Sequence, residues 1–249
     1  MSERPGIGLD EWYPLIAGEV LTPRTVIVRA SEDLAPLAYG EGAPDVRPAA
    51  KALAKEIDRA AISLGGYPVF LRTGHTSGKH EWRRTCYLTG SVDIPGHIFN
   101  LVEVSELVDM FGLPTEVWAV RELLKTTPAF HAFEGMPITK ERRYFVIDGT
   151  VVGFHPYWPP EAITNPSTSD WRWRLDRIQH QPQAETNYLT LMSERVGELV
   201  PGAWSIDWLW AQGQWYLTDM AWAERSYVWW QHPTAPDRRY EGEGQWLLP

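Results

Sequence analysis

Between residues 204 and 220 large apolar side chains alternate with polar ones, break at Gln212-Gly213, and resume. This pattern predicts a hairpin of two apolar strands around a polar, glycine-containing turn. A second alternating stretch, 141–158, turns at Asp148-Gly149, a strong hairpin dipeptide. Shorter apolar runs predict strands at 25–29, 67–72, 81–88 and 116–124. Helical spacing replaces alternation over 49–64, where Ala52, Leu53, Ile57, Ala60, Ala61 and Leu64 share a side before Gly65-Gly66 ends the run. The same period predicts helices over 97–111 and 183–199. Residues 31–48, 73–80 and 126–139 read as loops or connections, and 159–184 as an excursion or lid. The tail, 224–249, alternates aromatic and polar residues. Hairpins mixed with strand–helix units predict an α+β fold with antiparallel sheets.

Composition narrows the function classes. The 249 residues suffice for one large domain or two modest ones. A net charge of −9 argues against a surface built for nucleic-acid backbones, though it leaves room for a local basic pocket. A lone cysteine, Cys86, excludes an intrachain disulfide and a cysteine-rich zinc cluster; in a predicted strand it reads as buried and inert. The N-terminus carries no apolar signal region and no run reaches membrane-spanning length, so the expectation is a soluble cytoplasmic protein. The tryptophans crowd into the second half, where they read as core and cleft packing. Trp158, Trp171, Trp173, Trp229 and Trp230 are the candidates for contact with a protein partner.

Four stretches carry candidate chemistry. The 204–220 hairpin places one aspartate, Asp207 or Asp219, in each apolar strand, where an unpaired carboxylate is costly. A two-residue turn, Gln212-Gly213, would pair Asp207 with Thr218 and send Asp219 to the opposite face. A three-residue loop, Ala211-Gln212-Gly213, puts both on one face as diagonal neighbours roughly 7–8 Å apart, and Gly213 suits its left-handed position. A shared metal site therefore requires that loop or another of its parity; the plainer alternative is two separate aspartates, each satisfied by nearby donors. The small-residue loop 73–80 lets backbone N–H groups approach an anion, with Arg72 and Lys79 adding charge; a glycine-rich surface turn is the plainer alternative. The segment 117–125 offers an extended backbone edge at Arg121-Glu122-Leu123 to a purine. In the 141–146 strand Arg142 and Arg143 face opposite ways, so one can neutralise phosphate charge in a cleft or form a surface salt bridge.

The order of these parts resembles that of the ATP-grasp superfamily, and most the cell-division-cycle 123 (D123) branch with its small phage and bacterial relatives. Val69-Phe-Leu-Arg-Thr and the loop to Lys79 resemble that branch's strand and loop, with Arg72 where a phosphate-binding lysine is expected. Val120-Arg-Glu-Leu-Leu resembles its adenine-side hinge. Glu141-Arg-Arg143-Tyr-Phe-Val resembles a Glu-Phe-Arg-x-Phe-Val motif, and Ser205-Ile-Asp207 and Leu217-Thr-Asp219 resemble its two metal-ligand strands. The resemblance covers about residues 67–230. It departs at Asp219-Met-Ala221-Trp222, where the branch has Asp-Phe-Asn-Pro, so one expected metal ligand is missing.

The resemblance implies two antiparallel-sheet lobes clasping a nucleotide. Residues 1–66 would form an N-terminal region of the same compact unit and 67–249 the nucleotide-binding and catalytic region. It implies an ATP- and Mg²⁺-dependent ligase that activates a carboxylate as an acyl phosphate for attack by an amine or similar nucleophile. ATP would meet Arg72, Ser77, Lys79, Arg121, Glu122, Leu123 and Lys125. Mg²⁺ would meet Asp207 and Asp219, and Arg143 would be the catalytic charge. The acceptor would be a small molecule or peptide, with no membrane or nucleic-acid partner. The alternative is an ATP-binding assembly factor, bound to a protein partner, with little or no turnover.

Overall fold

A computed structural model describes residues 8–40, 42–108 and 112–240. The predicted helix end at 109–111, the extreme N-terminus, position 41 and the tail beyond 240 lie outside the described residues. In chain order the elements are α1 (Leu9–Ile16), β1 (Thr25–Arg29), α2 (Pro36–Tyr39), α3 (Ala43–Ser63), β2 (Val69–Thr73), β3 (Tyr87–Leu88), α4 (Ile94–Val108) and β4 (Val117–Glu122). There follow β5 (Phe130–Ala132), β6 (Met136–Ile138), β7 (Glu141–Ile147), β8 (Thr150–Pro156), α5 (Trp171–Gln179), α6 (Gln183–Leu199), β9 (Ala203–Ala211) and β10 (Gln214–Trp222). The class is α+β, as the patterning predicts. One sheet runs β1-β4-β2-β3, the other β10-β9-β7-β8, and all their pairings are antiparallel.

Each sheet buries one face against helices. The first packs Leu71, Trp118 and Val120 on Leu53, Ile57, Ile98 and Leu101 of α3 and α4. The second packs Tyr144, Ile206, Trp208 and Leu217 on Trp12 of α1 and on Leu189 and Val196 of α6. Full burial of such side chains contributes about 1.5–3 kcal/mol apiece. A third cluster joins β5 and β6 to α5 through Phe130, Met136, Trp158 and Trp171. No helix among the described residues is long and apolar enough to cross a membrane.

Several expectations are corrected. The 81–88 strand is reduced to Tyr87–Leu88, because 79–81 form a 3₁₀ turn. Turn bonds from Arg84 and Thr85 to the Glu81 carbonyl, and the Thr85 hydroxyl on the Gly78 carbonyl, outcompete a ladder there. The 31–48 loop ends early: α3 already starts at Ala43, because Val46 and Ala49 extend the buried stripe and Pro44 sits in the first turn, where its missing N–H is harmless. The 126–139 connection holds the β5–β6 hairpin, and the 159–184 excursion holds α5. Of the five partner-contact tryptophans, Trp158 and Trp171 are buried, while Trp173 is 58% exposed.

The hairpin of β9 and β10 meets the parity requirement by an unexpected route. Its turn has two residues, with Gln212 at φ 52° and Gly213 at φ 79°, so Ala211 pairs with Gln214. The three-residue loop is therefore wrong, and a regular ladder would separate the aspartates. The ladder is not regular: Leu217 pairs with Trp208, Thr218 is skipped, and Asp219 pairs with Asp207. A β-bulge at Thr218 brings the two aspartates opposite one another on one face, as directly paired neighbours rather than diagonal ones.

His155 on β8 is fully buried and linked to the tail. Its Nε2 accepts the Trp229 N–H at 3.2 Å, so Nδ1 carries the proton and donates to the Pro156 carbonyl at 2.7 Å. Burial pushes its pKa from 6.5 down to about 4, with the Arg143 charge adding to the shift. The folded ring stays neutral where the unfolded ring protonates. This stabilisation is therefore full above pH 6.5 and is lost as pH falls towards 4. The expected loss is about 3 kcal/mol over that window, read by urea unfolding, and His155→Gln lacks it.

Candidate active site

A cleft of about 390 Å³ opens between the two sheets. Phe70, Arg72 and Arg121 wall it from the first sheet, Glu141, Leu209 and Asp219 from the second, and the β5–β6 hairpin closes one side through Met136 and Pro137. Strand alternation explains the walls. Phe70 lies opposite Arg121, so Arg72, two residues on, shares their face. In the second sheet Glu141 lies opposite Leu209, and Arg143, Asp207 and Asp219 form one row. Arg142 points the other way, buried against Glu185 of α6 at 3.1 Å, so Arg143 is the arginine on the site's side.

Every acid in this row is met by a cation. Arg143 donates through Nε and Nη2 to both oxygens of Asp207, at 2.7 and 2.8 Å. Burial opposes the Arg143 charge, but Asp207 outweighs it and the guanidinium's pKa rises. Arg72, 3% exposed, donates from Nη1 to Asp219 Oδ1 at 2.7 Å. The Met220 N–H adds a second bond to that oxygen, and the Asp219 side chain stays 37% exposed. Lys79 Nζ lies 3.5 Å from Glu141 Oε2 and 3.8 Å from the centre of the Tyr157 ring. Burial works against its charge too, but Tyr157 and Glu141 together raise its pKa. Glu141, whose carboxyl burial pushes up against the pull of Lys79, also accepts the Trp158 Nε1–H at 2.8 Å.

Arg121 differs. Its Nε donates to Thr25 Oγ1 at 3.0 Å and its Nη1 to the Thr218 carbonyl, but its buried Nη2 has no partner among the described residues. Burial, reinforced by the neighbouring Arg72 charge, pushes its pKa down to about 10. An orphaned buried donor costs roughly 1–3 kcal/mol, so an acceptor in the cleft would relieve it.

The cleft thus gathers Arg72, Ser77, Lys79, Arg121, Glu122, Leu123 and Asp219. The Glu122 carboxylate is turned to Arg24, whose backbone N–H and Nε it accepts at 2.8 and 3.0 Å; beyond it the chain leaves the ladder. Three predicted residues lie outside the wall: Lys125 is exposed, and Asp207 and Arg143 stand behind Asp219. The 73–80 loop is not an open row of amides. Gly74 N–H donates to the Val117 carbonyl, the Thr73 hydroxyl receives His75 and Thr76, and the Thr76 hydroxyl receives Gly78. Glu141 is a buried cleft carboxylate absent from the sequence-based site residues, although it opens the 141–146 motif. Cys86 is buried with its thiol pushed up to about 12 by burial, which suits an inert core residue.

No group of three or more metal-binding side chains occurs among the described residues. Two carboxylates on one face still fit Mg²⁺, a hard cation that binds through one or two carboxylates when phosphate oxygens and water complete its shell. Asp219 reaches the cleft, while Asp207 has both oxygens held by Arg143.

A family model described as an ATP-grasp domain, R-2-K clade family 3, matches residues 63–226. Among solved structures, C-terminally truncated Cdc123 from Schizosaccharomyces pombe is similar, with a TM-score of 0.57 and 12% identity, over 86% of this chain and 82% of that one. Cdc123 from the same organism aligns over the same shares with a TM-score of 0.55 and 13% identity. D-alanine–D-alanine ligase from Bacillus anthracis, complexed with ATP, aligns at 0.46 and 9% identity over 86% of this chain and 54% of that one. No curated protein matches the sequence significantly. For the two Cdc123 structures the likeness at these identities is one of fold, whereas the family match spans well over half of the sequence. The chain belongs to the ATP-grasp domain family that forms the third family of the R-2-K clade.

Proposed function

We propose that the protein is an ATP- and Mg²⁺-dependent ligase that activates a carboxylate for attack by an amine or similar nucleophile. The observation that carries this reading is the meeting, in one cleft, of three cations, Arg72, Lys79 and Arg121, with Asp219 backed by Asp207. That set suits a polyphosphate with a divalent cation. Leu123 and Leu124, beyond the end of β4, offer the purine an apolar edge beside backbone polar groups.

In this reading Arg72, Lys79 and Arg121 orient the phosphates, with Ser77 beside them. Asp219 would hold Mg²⁺ from the cleft, joined by Asp207 where Arg143 yields one of its oxygens, and the ion would screen phosphate charge. A substrate carboxylate attacks the γ-phosphorus and ADP leaves; the nucleophile then displaces phosphate from the acyl phosphate. Arg143 orients Asp207 and sets positive charge behind it, where charge on the transferred phosphoryl group is stabilised. Tyr157, stacked 4.7 Å from that guanidinium, helps keep it in place. Catalysis then rests on positioning and electrostatics. The N-terminal region supports the site, since Arg24 pairs with Glu122 and Thr25 bonds Arg121.

One feature favours a second reading, an ATP-binding assembly factor with little turnover. Ala221, paired with Ser205, stands where the resembling branch has its asparagine ligand. Release of ADP and phosphate separates the two. The ligase releases both steadily only when a carboxylate and a nucleophile are supplied together. Tight ATP binding without release, alongside a stoichiometric co-purifying protein, contradicts the ligase and supports the assembly factor.

A further inference from the structure

Arg121 joins the two sheets at the point where the aspartate row is made. From β4 it reaches the Thr218 carbonyl on β10 while its Nε is fixed by Thr25 of β1. Thr218 is the residue that the β9–β10 ladder skips. A skipped residue is left unpaired by the ladder, and Arg121 supplies its carbonyl with a donor. The Thr218 hydroxyl completes the anchorage by donating to the Asp207 carbonyl at 3.2 Å. Were Thr218 to rejoin the ladder opposite Asp207, the one-residue slip would turn Asp219 to the helix-covered face. The remaining arm, Nη2, is buried, lacks a partner among the described residues and belongs to a side chain that walls the cleft.

We infer that Arg121 is a positioning residue for Asp219, coupling an anion in the cleft to the bulge. This rests on the nucleotide and Mg²⁺ reading above. An anion oxygen on Nη2 fixes the guanidinium plane, which fixes Nη1 on the Thr218 carbonyl. The bulge then holds Asp219 beside Asp207. The guanidinium's rigid fork suits this double duty, and a lysine ammonium cannot reproduce it.

The test follows thermal unfolding of the full chain with ATP in EDTA and with ATP under an Mg²⁺ titration. Arg121→Met raises the Mg²⁺ concentration for half of the ATP-dependent shift by roughly 10–100-fold, as loss of a ligand-orienting partner does. Deleting Thr218 leaves Leu217 opposite Trp208 and Asp219 opposite Asp207 in a regular ladder, so Asp219 keeps its side without help. Combining the deletion with Arg121→Met therefore returns the Mg²⁺ midpoint to that of the deletion alone. If Arg121→Met does not fold, Arg121→Lys replaces it in the same comparison. A wild-type Mg²⁺ midpoint in the single variant, or a double variant as impaired as the single one, overturns the coupling while leaving the nucleotide reading in place. A wild-type chain that ATP never stabilises overturns that reading itself, and the coupling with it.

Discussion

Arg143→Ala is expected to lower the free energy of unfolding by roughly 3–5 kcal/mol, because it leaves the Asp207 carboxylate buried without its cation. Both oxygens of Asp207 are held by this one guanidinium, at 2.7 and 2.8 Å, and the residue is only 6% exposed. Removing one partner of such a pair costs far more than removing both, so Arg143→Ala/Asp207→Ala should recover part of the loss. Urea unfolding of the two single variants and the double variant gives the coupling directly. A loss below about 1 kcal/mol in Arg143→Ala would mean that the pair behaves as a solvated surface bridge. The row of acids would then lose its fixed geometry.

Asp219→Asn is expected to remove most of the Mg²⁺-dependent part of ATP stabilisation. The amide keeps an oxygen for Arg72 Nη1 and the Met220 N–H, so the hairpin stays folded while the charge that a hard cation needs is gone. Saturation at a hundredfold excess over Kd stabilises by about 2.7 kcal/mol, and the variant should keep only the share that ATP provides in EDTA. Differential scanning calorimetry with ATP, with and without Mg²⁺, reads that share. An undiminished Mg²⁺ increment in Asp219→Asn would remove Asp219 from the metal site.

How far the sequence shows this site depends on the period being read. Strand β1 and helix α6 fall where alternation and helical spacing place them, and the Asp148-Gly149 hairpin turns where its dipeptide requires. The hairpin that holds the aspartates is legible as a hairpin but not in register. Trp215 and Leu217 are buried two residues apart, Met220 and Trp222 likewise, and the gap between the pairs is odd. That change of parity marks the bulge at Thr218, and the turn dipeptide carries no trace of it. Arg121 reads as part of the purine edge through its neighbours. Its side chain instead spans the sheets, an interaction over 97 residues of sequence that no local pattern records. Glu141 stands in the sequence only as the first residue of the 141–146 motif, because nothing local marks a strand-end glutamate next to two arginines as buried. Its burial comes from Trp158 and Lys79, which lie far from it in sequence or across a turn. The 73–80 loop has the composition of an anion cradle, yet its threonine hydroxyls take up several of its own N–H groups. Composition alone does not separate those two outcomes.

The unfolding temperature of the wild-type chain with ATP and Mg²⁺ tests nucleotide binding in the cleft most directly. The expected result is a saturable rise with ATP and Mg²⁺ together and a smaller one with ATP in EDTA, since Arg72, Lys79 and Arg121 meet the phosphates without the metal. An unfolding temperature unmoved by millimolar ATP with Mg²⁺ would contradict it.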